Sequence, residues 1–123
     1  MKSGINWQRS DVMEQKGIVW IAVPYSNQTE SKTRPALIVS NNEYNEKNRD
    51  ILICVITSNL EKKPYAIFIS QKDIVEGQLP IPSKIKADKI MQVEKSLLIK
   101  QFAKISNETF DRVTKEIIKL VNG

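Results

Sequence analysis

The sequence predicts a small, mainly β domain: a barrel of short strands closed by one C-terminal α-helix. Three observations lead there. Short apolar runs rich in Val and Ile follow one another at close intervals, separated by polar or Gly/Pro punctuation. A capped amphipathic helix of several turns occurs only at the end of the chain. The length of 123 residues fits one domain and not two.

The elements follow in order. Residues 1–16 form an N-terminal extension, with Ser10 or Asp11 capping a short helical turn through Lys16. Trp7, in that polar tail, suits covering the barrel or a dimer seam. The barrel domain spans 17–123. Gly17–Pro24 (GIVWIAVP) is a strand with apolar residues on both faces, as in a barrel interior. Tyr25–Thr33 is a polar surface loop. Pro35–Asn41 is a second strand, where proline at the first position loses no central ladder bond. Ile51–Ser58 and Pro64–Ser70 are the third and fourth. Asp73–Ser83 contains Gly77, Pro80 and Pro82 and reads as irregular. Ile85–Val93 and Leu97–Ile105 are further strands around a Glu94–Ser96 turn. Ser106 caps a helix over 107–122, whose Phe110, Val113, Ile117, Leu120 and Val121 share one face.

Composition excludes several chemistries. There is no histidine, which removes the commonest general base and metal ligand. No cluster of acids has metal-ligand spacing, so no metal and no cofactor is expected. The single cysteine, Cys54, lies inside ILICVI and reads as a buried small hydrophobe. No apolar stretch suits a signal peptide or a membrane span, which predicts a cytoplasmic protein without a membrane partner. The net charge of +5 favours an anionic partner.

One pairing points to chemistry. If Arg34–Asn41 and Ile51–Asn59 pair as antiparallel neighbours, the connection between them sets the register. Arg34 then falls beside Thr57 at one rim. A cation fixed next to a hydroxyl suits a phosphodiester. Trp20, within an apolar strand, reads as core rather than as a base-stacking platform.

The ordered motifs resemble the MazF/PemK (Kid) family of toxin endoribonucleases. Gly17–Ile21 resembles the family's first strand, and Lys32–Ser40 its R-P-[AV]-L-[IV] strand. Tyr44-Asn45 matches a common loop pair, and Ile53–Asn59 resembles the strand ending T-[ST]-[NQ]. Gly77-Gln78-Leu79, Ser83 and Ala87–Ile90 resemble the following G-L…S…[DE]-[QK] segment. The resemblance implies an SH3-like barrel of the CcdB/MazF/PemK kind and a homodimer. It also implies metal-independent cleavage of single-stranded RNA and inhibition by a cognate antitoxin, which is expected to be acidic and partly disordered.

By the same resemblance Arg34 and Thr57 are the catalytic pair, and Tyr25, Gln28, Lys32, Ser58, Asn59 and Lys89 are the candidate RNA contacts. Ser58 falls on the strand face opposite Thr57, where a structural role competes. One departure stands out: Met91 occupies the aligned position of a second arginine found in many members, and Lys89 is the expected substitute cation. Two alternatives compete with the ribonuclease. One is a non-catalytic nucleic-acid-binding or regulatory module; the other is a protein-directed toxin of the same fold, like the gyrase poison CcdB.

Overall fold

The computed structural model describes residues 13–24 and 31–123. The expected helical cap at Ser10 or Asp11, and Trp7, Tyr25 and Gln28, lie outside the described residues. The elements are β1 (Gly17–Pro24), β2 (Ser31–Ile38), α1 (Asn42–Lys47), β3 (Asp50–Thr57), β4 (Ala66–Ile69), β5 (Ile74–Gly77), β6 (Ser83–Glu94), β7 (Leu98–Ile105) and α2 (Asn107–Asn122). Short 3-10 turns precede β5 and β7.

The strands form one seven-stranded sheet in the order β4-β6-β3-β2-β1-β7-β5. Every pairing is antiparallel. The sheet curls far enough for one core to draw on most strands. Ile18, Leu37, Cys54, Ile67, Ile85 and Ile105 meet Phe110 and Val113 of α2 there. A second cluster, including Val19, Ile21, Ile38, Ile51 and Ile53, fills the other face. β1 thus sends alternate side chains into two cores, which is why GIVWIAVP is apolar throughout.

Four local readings need correction. β2 begins at Ser31, inside the tract read as a loop, and ends at Ile38, so Pro35 sits within the strand, opposite Trp20 and just outside the β3 ladder, which begins at Ala36. The Asn42–Asp50 connection holds α1, capped by Asn41, whose side chain accepts from Tyr44 N. The tract read as irregular contains β5, which pairs with β7 and stops at Gly77. Gly77 has φ +77°, and an added Cβ would lie 2.1 Å from the Phe102 carbonyl oxygen, so the close approach of two strands requires glycine there. Finally, Leu120 and Val121 do not join the core. α2 is anchored by its first half, where Ser106 caps Thr109 N at 3.1 Å and the Thr109 hydroxyl donates to buried Asp73 at 2.9 Å. Its last turn projects Val121, 75% exposed.

Candidate functional site

β2 and β3 pair Ala36 with Val55, Leu37 with Cys54 and Ile38 with Ile53. Two residues beyond the first of these pairs, Ala36–Val55, and on the same face, stand Arg34 and Thr57. Both line a cleft of about 280 Å³ at the strand ends, together with Trp20, Pro35, Ser58 and Phe102. Trp20 stacks on Phe102 with ring centroids 4.5 Å apart and planes 20° from parallel. Trp20 is therefore not the fully enclosed core residue expected of it. It is half-buried and forms an aromatic wall beside the arginine.

Arg34 is exposed, and no carboxylate among the described residues pairs with it. That leaves its guanidinium fork available to an anion. Thr57 Oγ1 accepts from Asn59 N at 3.1 Å. With a backbone donor on its oxygen, the hydroxyl hydrogen is the part left to offer outward. Asn59 Oδ1 in turn accepts from Glu61 N at 3.0 Å. These two side-chain-to-backbone turns hold the segment after β3 in place.

A second cleft, of about 540 Å³, adjoins the first through Thr57 and is lined also by Asn59, Tyr65, Lys84, Lys86 and Asp88. Lys84 stands directly opposite Thr57 on β6. Only 3% of it is exposed, and its Nζ donates to the Glu61 carbonyl. No sequence motif flagged Lys84; the register of β6 against β3 reveals it.

The other candidates scatter. Ser58 borders the first cleft and Asn59 the second. Lys32, on β2, and Lys89, on β6, are exposed and line neither cleft. Met91 pairs with Ile53, four residues along β3 from Thr57, or roughly 13 Å. Cys54 is fully buried, and burial, with a smaller contribution from the charge of Asp88, pushes its thiol up to about 12. The thiolate a nucleophile needs is thus suppressed. Among the described residues, no group of three or more Cys, Asp or Glu side chains could hold a metal ion. No helix there is long and apolar enough to cross a membrane.

Comparison with known proteins places this architecture. The sequence matches the family described as PemK-like, MazF-like toxin of type II toxin-antitoxin system over residues 14–121. The chain belongs to that family and is a toxin of the MazF/PemK type. No curated protein matches.

The fold is similar to a MazE–MazF complex from Deinococcus radiodurans, with TM-score 0.74, 19% identity, and coverage of 90% of this chain and 97% of that one. It is also similar to an endoribonuclease in complex with its cognate antitoxin from a mycobacterial species, with TM-score 0.73, 18% identity, and coverage of 90% and 96%. Mycobacterium tuberculosis toxin MazF-mt6 gives TM-score 0.67 at 17% identity, with coverage of 86% and 96%.

Proposed function

We propose that the chain is a metal-independent endoribonuclease that cleaves single-stranded RNA, with Arg34 and Thr57 as its catalytic pair. The observation that carries this reading is their convergence on one cleft at the end of the β2–β3 ladder. Arg34 binds the scissile phosphate through two parallel N–H donors and stabilises the charge that builds on phosphorus-bound oxygens. The Thr57 hydroxyl donates to the same group. The adjacent ribose 2′-oxygen bonds to phosphorus and the 5′-oxygen of the next nucleotide leaves. The proton released from the 2′-hydroxyl passes to water, and water protonates the leaving oxygen. Trp20, Ser58 and Asn59 border the path of the strand; Tyr25, Gln28, Lys32 and Lys89 serve as outer contacts.

The working unit in this reading is a cytoplasmic homodimer. Ile118 and Val121 of α2 are left uncovered in one copy, and a domain this small gains from burying more surface. The cognate antitoxin is an acidic, partly disordered segment that covers the Arg34–Thr57 end and so occludes it.

The test is cleavage of a long unstructured RNA with EDTA present. Wild type should cut, Arg34→Ala should not, and a 2′-deoxy substitution at the scissile nucleotide should block cutting. Activity lost on chelation and restored by Mg²⁺ or Mn²⁺ would overturn the arginine–threonine mechanism. Undiminished cutting by Arg34→Ala would overturn the site.

A further inference from the structure

The cleft at Arg34 is one end of a longer line. β6 pairs Lys84 with Thr57 on one side and with Phe68 of β4 on the other. Directly paired residues in antiparallel strands share a face. Arg34, Thr57, Lys84 and Phe68 therefore stand in one transverse row over β2, β3, β6 and β4. Three interstrand steps make it about 14 Å long. Their neighbours Ile56, Ile85 and Ile67 point the other way, into the core.

Two members of this row lack the partners their chemistry asks for. Lys84 is a buried ammonium with three donors. Among the described residues its partner is a single backbone carbonyl, and no carboxylate pairs with it. A buried cation in that state gains from an incoming anion. Phe68 is a large aromatic left 41% exposed on an edge strand. It borders a third cleft, of about 400 Å³, with Leu60 and Arg112. Cation, hydroxyl, cation and aromatic in sequence match the alternation of phosphate and base along a single strand.

We propose that this row is the RNA track, extending from the scissile phosphate at Arg34 and Thr57 toward the β4 edge. Lys84 takes the neighbouring phosphate and Phe68 stacks the base beyond it. The proposal rests on the ribonuclease reading for where the scissile phosphate lies, and adds the direction of the strand and two binding residues.

Binding is measured by fluorescence anisotropy on RNA made uncleavable by a 2′-deoxy scissile nucleotide, across a salt series. Lys84→Met should weaken binding about tenfold and flatten the dependence of log affinity on log salt by about 0.7 per phosphate lost. Lys84→Arg should restore the slope. Phe68→Ala should weaken binding about tenfold with the slope unchanged, and Phe68→Trp should not. An unchanged slope in a Lys84→Met protein with a native circular dichroism spectrum overturns the phosphate assignment. Should that variant misfold, Phe68→Ala decides, since its side chain is exposed: unchanged affinity overturns the track. Cleavage of the all-ribose RNA separates the two ideas. Arg34-dependent cutting with unmoved Lys84 and Phe68 variants sinks the track alone; failure of wild type to cut sinks the ribonuclease reading.

Discussion

The two halves of β6 differ in what they place against β3. The first half sets Lys84 opposite Thr57 and Ile85 opposite Ile56. The second sets Ile90 opposite Cys54, Met91 opposite Ile53 and Glu94 opposite Asp50. Between them β6 advances from Ile85 to Ile90 while β3 retreats only from Ile56 to Cys54. That shift is odd, so it changes which residues face which side. The first half carries its cation at the Arg34–Thr57 end. The second carries a thioether in mid-strand and an acid facing an acid at the far end. A cation lost at Met91 is thus lost from another part of the sheet than the one where Lys84 supplies it.

The strongest way to break this contrast is Arg34→Ala. It should cost at least a hundredfold in cleavage rate, roughly 3 kcal/mol, with the fold unchanged, because Arg34 is exposed and packs into neither core. A rate measurement beside a thermal melt checks both halves of that statement. Thr57→Val comes next, at about tenfold, since it removes one hydroxyl donor of about 1–1.5 kcal/mol and keeps the β-branched shape. Equal losses in the two variants would mean that Thr57 positions the loop through Asn59 rather than meeting the phosphate.

The second half of β6 should answer weakly. Lys89→Ala removes an exposed charge outside both clefts, so about a twofold loss at low salt, vanishing at high salt, is expected. Met91→Arg should not rescue Lys84→Met, because Ile53 and Thr57 are about 13 Å apart along β3. Full rescue in an RNA cleavage assay would show that the two halves act on one phosphate and would dissolve the comparison.

How much of this was legible beforehand follows from the same register. Arg34 and Thr57 could be brought together from sequence because the β2–β3 ladder is regular, so counting alternate residues works. The helix over 107–122 was legible from its cap and spacing, but its last turn was not. Leu120 and Val121 keep the helical period past the point where α2 leaves the barrel. Lys84 was illegible for a sharper reason. Counting back from Met91 by twos passes through Lys89, Ala87 and Ile85, and so assigns Lys84 to the opposite face. The shift between Ile85 and Ile90 returns it to the side of Thr57. β5 was hidden by Gly77, Pro80 and Pro82, which mark its end rather than its absence.

The last expected effect, on stability rather than cleavage, lies at the seam between the halves of β6, where Cys54 pairs with Ile90. Its thiol is raised from 9.0 to about 12, first by burial and then by the negative charge of Asp88. Folded protein therefore holds this proton more tightly than unfolded protein does. The stabilisation is fully present below pH 9 and is lost as pH rises from 9 through 12. Over the first pH unit of that window the loss is at most about 1.4 kcal/mol, a few degrees in melting temperature. Tyrosines and lysines titrate in the same range, so the quantity to compare is the slope of melting temperature against pH. Wild type should fall more steeply than Cys54→Ala between pH 9 and 10, although Cys54→Ala starts lower because it leaves a small cavity. Asp88→Asn should keep the wild-type slope in this window, because burial, the larger cause, is left in place. Parallel slopes in wild type and Cys54→Ala would mean that unfolding does not relieve the thiol, and that the seam is looser than the packing of Cys54 implies.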